Sequence, residues 1–511
     1  MMTTLFQSVP LPAITPETVL GLIGGTQAIS FTTLTFLGFF AVAAILNYAL
    51  PRIARPYFLL AASYLFFCWD PSDRALVPVL LGATLVTWVC GLIIGRSRNR
   101  AVRVLFLVVS ILTGIGLLFY YKYWNLLADS LGGVLSHRSE LFTPLGLGYF
   151  TLAALSYTID VYKRRCRVEY NLLHYALFVS FFPTMITGPI ERYPHLRPQM
   201  EKSRRFSYNR CAGGAFRMLW GYTKKMVLAD NLNLYIKTVY DSVSTMSGPN
   251  LVAATLLFSV RLYLDFSGCC DIAIGAARIL GYDLLENFRS PFEAVNFSDF
   301  WSRWHISLTS WLRDYLYFPL GGSRCNVVRH MLNLVIVFAV SGLWHGADWR
   351  YLQWGLACGI ISVIAQLTAA PRKALARVNP LYREPAVQKF IQRCITFLLF
   401  SFTLIFFAGA LYNAQPFEVM GGMLSGWDGG LSAAWQSVTA LIRDSGIDGR
   451  LPVVLICGCG IVFAAEHNGN NVARWIRRQN FVLRWTLYYA ACAAILFFAA
   501  FGQSAFIYQQ F

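Results

Sequence analysis

The chain offers few side chains suited to acid–base or nucleophilic chemistry. It holds seven histidines in 511 residues: His137, His174, His195, His305, His330, His345 and His467. Two stand out by context. His345 lies in Ser341-Gly342-Leu343-Trp344-His345-Gly346-Ala347, at the end of an apolar run. An ionisable residue at membrane depth is costly and is a functional candidate by default. A neutral imidazole there accepts a proton, which is what a general base needs to activate a hydroxyl. The bland alternative is a structural histidine bonded to a carbonyl. His305 lies in Trp301-Ser302-Arg303-Trp304-His305-Ile306-Ser307. The surrounding stretch, Phe300 to Gly322, is dense in Trp, Arg and Tyr and reads as an interfacial amphipathic helix, since these residues favour the headgroup level. Interface anchoring explains much of it. It explains less well the crowding of Arg303, His305, Arg313 and Asp314, which suits an anionic or thioester-bearing donor.

A third cluster is Asp265-Phe266-Ser267-Gly268-Cys269-Cys270-Asp271, after an apolar stretch containing Arg261. An internal Arg–Asp pair with a helix break at Ser-Gly is the favoured reading; a substrate channel through Asp265 and Ser267 is the other. Metal and bound cofactor are not expected. No HExxH, P-loop, GxSxG or Gly-rich dinucleotide motif is present. The 12 cysteines show neither a disulfide framework nor paired metal spacing. Most sit in apolar runs, where a thiol behaves as a small hydrophobe.

The elements that position these groups are membrane helices. The chain is 56% hydrophobic and only 13% charged, with mean hydropathy +0.51. A soluble chain of this length needs far more charge to cover its surface. Runs at 31–50, 75–95, 104–121, 351–369, 391–411 and 482–501 are nearly free of charge, and each approaches the ~20 residues that cross a bilayer as a helix. A membrane barrel would instead show ~10-residue alternating strands. The first 30 residues carry no Lys or Arg, so no cleavable secretory signal is expected there. The net charge of +18 sits at the ends of apolar runs, as topology signals and anionic-lipid contacts do. A nucleic-acid partner is therefore not expected.

Basic clusters mark the cytoplasmic side. Arg52 and Arg55, then Arg96 to Arg103, then Lys163 to Arg167 are each separated by two crossings, which puts the N-terminus outside. The cluster from Arg192 to Arg210 breaks the count. Pro183, Gly188 and Pro189 interrupt the run before it, and broken backbone at membrane depth is tolerated only inside protein or along a wet cavity. The segment 178–190 is therefore expected to be re-entrant and to line a cavity. The runs 332–344 and 351–369 make a return trip, and the last run exits. The fold class is all-α integral membrane, with roughly 11 spans plus re-entrant segments in one polytopic domain over 1–511.

Four ordered stretches carry a resemblance: FFPTMITGPIERYPHLRPQM (181–200), YLDFSGCCDIAIGAARILGYDLLENFRSPF (263–292), WSRWHISLTSWLRDYLYFPLGGSR (301–324) and SGLWHGADWRYLQWG (341–355). Together they resemble the membrane-bound O-acyltransferase family, in the branch of bacterial alginate O-acetylation and teichoic acid D-alanyl transfer. The resemblance implies a helical core at about 140–370 around a central tunnel, with peripheral spans in 31–121 and 391–501. It implies that His345 is the membrane-buried catalytic histidine and His305 the second functional one. Trp301, Arg303, Trp304, Arg313, Asp314, Asp265, Ser267 and Trp344 are the expected substrate-binding residues. The ending 501–511 resembles a short terminal motif, usually FIYFQF, with Gln509 in place of an aromatic; by that resemblance Tyr508 carries the acyl group, and interface anchoring is the alternative.

The expected activity is acyl transfer, most simply of acetyl from cytoplasmic acetyl-CoA, to an extracytoplasmic polysaccharide such as alginate. The expected setting is the bacterial inner membrane, in contact with its lipid and with an extracytoplasmic acetyltransferase as partner. D-alanyl transfer from a carrier protein is the first rival and a transporter or flippase the second, although no paired inverted halves support transport.

Overall fold

The structure, a computed structural model, describes residues 29–132, 134–138, 142–371, 384–467, 476 and 478–500. These residues form helices and connecting turns, with no strand among them. Six described helices have the length and hydropathy of a span: Ser72–Arg96, Arg100–Ser130, Gly248–Leu280, Val327–His345, Pro385–Tyr412 and Phe481–Phe498. Leu34–Ala49 and Leu451–Ala465 are apolar but shorter. Six clear spans compare with the roughly 11 expected. Helices form where the apolar runs lie, including Trp349–Leu367.

Burial separates a centre from a periphery. In the most apolar window of Gly248–Leu280 72% of the residues are buried, against 11% in that of Arg100–Ser130 and none in that of Phe481–Phe498. The central helix runs 33 residues without interruption, so the helix break expected at Ser267-Gly268 is absent. The glycines there serve close approach instead. A Cβ on Gly268 would stand 2.9 Å from the Gly221 carbonyl oxygen, and one on Gly275 would stand 2.6 Å from that of Gly214. Two glycines seven residues apart on each helix thus let Tyr208–Tyr222 lie against the central helix at backbone contact, as small residues do between membrane helices.

That contact aligns buried charge. Lys225 Nζ lies 2.6 Å from Asp265 and 2.7 Å from Asp230. Lys224 Nζ lies 2.5 Å from Asp271 and 3.0 Å from Glu466, and Arg217 is 2.9 Å from Asp271. Both carboxylates of the third cluster are therefore neutralised by the neighbouring helix. Arg261 pairs with neither and donates to the Tyr412 hydroxyl at 3.0 Å.

The segment 178–190 is interrupted as its prolines predict. The Leu172–Ser180 helix stops at Phe181, a four-residue helix Phe182–Met185 follows, and the backbone then runs irregularly to the Tyr193–Glu201 helix. Nearly all of it is buried. Its closest tie to the histidine segments is the Ile190 N–H, which donates to Ser307 Oγ at 3.0 Å.

Gly268→Leu is expected to force the central crossing apart. Overpacking of this kind costs about 1–3 kcal/mol, which should appear as a lower thermal-unfolding midpoint in detergent. Gly82→Ala, where an added Cβ meets nothing within 4 Å, should leave the midpoint level or raise it.

Candidate active site

Three apolar clusters meet at the two histidines. Phe266 of the first packs edge-on against His305, ring centroids 4.7 Å apart. Trp344 of a second touches both rings, at 5.8 Å from His305 and 5.1 Å from His345. Trp354 and Phe407 of the third enclose His345 at 5.0 and 5.4 Å. The two imidazoles stand 6.5 Å apart, centroid to centroid, and both are buried.

Between them is a cavity of about 50 Å³. One wall is Trp301, Trp304, His305, Leu308, Thr309 and Leu312; the other is Val337, Phe338, Ser341 and His345. Each wall comes from one continuous stretch of chain.

The first wall depends on a sharp backbone feature. The amphipathic helix expected over 300–322 is not continuous. It ends as Phe297–Arg303, reverses at His305 with φ 43°, and restarts as Ile306–Leu312 before a π-helical turn at Arg313–Tyr317. A non-glycine residue in the left-handed region costs about 1–3 kcal/mol and persists only where its surroundings hold it. Asn287 holds it here. Its carbonyl accepts from the Ile306 N–H at 2.9 Å, and its side-chain Oδ1 accepts from the Ser307 N–H at 3.1 Å and lies 3.3 Å from His305 Nδ1. Since Oδ1 already accepts one proton, the consistent arrangement has His305 Nδ1–H donating to it and the lone pair on Nε2.

The second wall depends on a tight hairpin. A Cβ on Gly342 would sit 2.3 Å from the Tyr351 carbonyl oxygen, and one on Gly355 would sit 2.3 Å from that of Phe338. His345 is the last residue of Val327–His345, and extended Gly346 follows. The end of that helix is gripped from two sides. Lys122 Nζ donates to the Trp344 carbonyl at 2.6 Å and Tyr123 Oη to that of Leu343 at 2.5 Å. Beyond the turn, Arg350 binds Asp348 at 2.6 Å and reaches the Ala414 carbonyl at 3.1 Å.

Of the residues singled out from the sequence, His305, His345, Trp301 and Trp304 line the cavity and Trp344 packs against both histidines. The others do not join them. Arg303 pairs with Asp299 at 2.8 Å, and Arg313 pairs with Asp314 at 2.9 Å in an exposed position. The reversal at His305 is the reason, because it destroys the single helical face on which they were expected to crowd. Asp265 is committed to Lys225, and Ser267 lies mid-helix and lines no part of the cavity. Tyr508 lies outside the described residues. Asn287, Lys122 and Tyr123 were not anticipated; of these only Lys122 carried a signal, as a lone cation between aromatics at the end of an apolar run.

Residues 101–409 match the family model described as MBOAT, membrane-bound O-acyltransferase family. That is more than half of the chain, and it contains the whole cavity lining. The chain belongs to the membrane-bound O-acyltransferase family. It is 33% identical over 374 residues to a peptidoglycan O-acetyltransferase of Helicobacter pylori, covering 67% of this chain and 70% of that one. It is 34% identical over 339 residues to a probable alginate O-acetylase of Pseudomonas aeruginosa, covering 64% of each, slightly under two thirds. A teichoic acid D-alanyltransferase of Bacillus subtilis is 27% identical over 252 residues, covering 47% of this chain and 62% of that one. Family and helices together make the chain a multi-pass membrane acyltransferase.

Asn287→Ala should destabilise the left-handed turn, because the buried Ser307 N–H loses its acceptor. The expected loss is about 1–3 kcal/mol, read as a fall in the unfolding midpoint. A midpoint equal to wild type would show that the turn holds without Asn287.

Proposed function

We propose that the chain moves an acetyl group from a cytoplasmic thioester, acetyl-CoA, toward O-acetylation of an extracytoplasmic polysaccharide such as alginate. The observation that carries this reading is the convergence of His305 and His345 on one aromatic-lined cavity. The choice of acetyl rests on the relatives. Those at about one third identity are named for O-acetylation of peptidoglycan and alginate, whereas the D-alanyltransferase match is weaker and shorter. D-alanyl transfer from a carrier protein is the second reading, favoured by that last match.

In the proposed reaction His345 takes the proton of the acceptor hydroxyl as its oxygen attacks the thioester carbonyl carbon. The new C–O bond forms and the C–S bond breaks. The leaving thiolate takes the proton from the imidazolium, so coenzyme A departs as thiol and His345 returns to neutral. His305 positions or stabilises the donor. Trp301, Trp304 and Phe338 exclude water, which limits hydrolysis of the thioester. The acceptor hydroxyl is either that of Tyr508, from which an extracytoplasmic acetyltransferase passes the acyl group to a sugar hydroxyl and regenerates the tyrosine, or a sugar hydroxyl itself. The proposed setting is the cytoplasmic (inner) membrane of a bacterium.

The test is transfer of radiolabel from acetyl-CoA by purified protein. His345→Ala should lower turnover by about 10²–10⁴-fold, the usual contribution of a positioned general base, with the protein still folded. Label that accumulates on wild type and is lost in Tyr508→Phe would support the relay. Undiminished turnover in His345→Ala would refute the assignment, and labelling only from a charged D-alanyl carrier would select the second reading.

A further inference from the structure

His345 sits where a helix has least to hold it. The last four carbonyls of any helix lack partners within that helix. In Val327–His345 two of them, on Leu343 and Trp344, are met by side chains from a helix more than 200 residues away in sequence. The donors are consecutive residues, Tyr123 and Lys122. Successive residues on a regular α-helix point about 100° apart, so neighbours seldom serve one target. Here they fall in a π-helical turn, Phe119–Tyr123, inserted between Arg100–Leu118 and Trp124–Ser130. Such single turns are a local distortion found disproportionately at functional sites. The same helix makes a third tie just past the histidine, where Trp349 Nε1 donates to Ser130 Oγ at 2.9 Å.

The cation is apt as well as the geometry. A helix C-terminus carries partial negative charge, and a lysine supplies three donors and no acceptor. Lys122 does not line the cavity. Its hydrogen bond is to the carbonyl of the residue preceding His345.

We infer that Lys122 is a positioning residue for acyl transfer: by tying the Trp344 carbonyl to the Arg100–Ser130 helix, with Tyr123 tying that of Leu343, it sets where the His345 imidazole stands in the cavity. The inference rests on the proposed role of His345. Substrate binding belongs mainly to the walls of the cavity and reaction to the placement of the imidazole. Loosening the clamp therefore acts on kcat rather than on KM.

The experiment compares wild type, Lys122→Met, Lys122→Arg, Tyr123→Phe and His345→Ala as purified full-length protein, with kcat and KM for acetyl-CoA normalised to folded protein. Small misplacements of a reacting group cost up to about 100-fold. Lys122→Met should lose about 10- to 100-fold in kcat with KM within about twofold of wild type. Lys122→Arg keeps a charged donor and should recover most of the loss. If Lys122→Met does not fold, Tyr123→Phe, which removes one hydroxyl, should still lower kcat several-fold at unchanged KM. Wild-type kcat in both Lys122→Met and Tyr123→Phe, or equal losses in Lys122→Met and Lys122→Arg, would overturn the inference while His345→Ala remains inactive. Full activity in His345→Ala would instead overturn the functional reading on which it depends.

Discussion

A polar group removed from water into an apolar interior must find its partner within the chain. A lost partner for a neutral buried group costs about 1–3 kcal/mol, and an isolated charge costs more. This chain buries many such groups: among them Lys224, Lys225, Asp230, Asp265 and Asp271. Their pairing requires the Tyr208–Tyr222 helix and the π-helical turn after it to lie hard against the central helix, and glycines at 214, 221, 268 and 275 permit that approach. The architecture follows from the same demand at each level. Helices satisfy the backbone, glycines bring helices together, and contact pairs the charges. Removing one member of a buried pair leaves an uncompensated charge, so the set persists or fails together.

The histidine site meets the same demand differently. His305 stands in a left-handed backbone conformation that only a surrounding framework sustains, and Asn287 supplies it with two backbone hydrogen bonds and a side-chain contact. His345 stands at a helix end whose carbonyls are received by Lys122 and Tyr123. Neither imidazole is carried by a flexible loop. Each is placed by groups that would themselves lack partners if it moved, which is the kind of support a reactive constellation needs.

Much of this was legible in the sequence, but unevenly. Apolar length announced the helices, and His345 was legible because an ionisable residue closing an apolar run is rare and costly. The prolines of 178–190 correctly marked broken backbone. Gly268 misled, since a glycine in a helical pattern reads equally as a break or as a close approach, and only the opposing Gly221 decides. Arg303, Arg313 and Asp314 misled for a related reason. Their crowding assumed one unbroken helix, and residue types alone do not reveal that His305 adopts positive φ. Lys122 and Asn287 act on residues far from them in sequence, and periodicity carries no information about contacts of that range.

The meeting of three apolar clusters at one cavity also bears on chemistry. A thioester survives in a site only if water is kept from its carbonyl, and a proton moves between hydroxyl, imidazole and thiolate most readily where fixed dipoles rather than mobile solvent surround it. Among the described residues, aromatic rings from each cluster close on the imidazoles, so access to them depends on the packing of the core. Under the proposed reaction, a substitution in any one cluster that opens a path for water would favour hydrolysis over transfer, even with both histidines in place. In the proposed reaction, retention of the acyl group and stability of the fold thus draw on the same contacts.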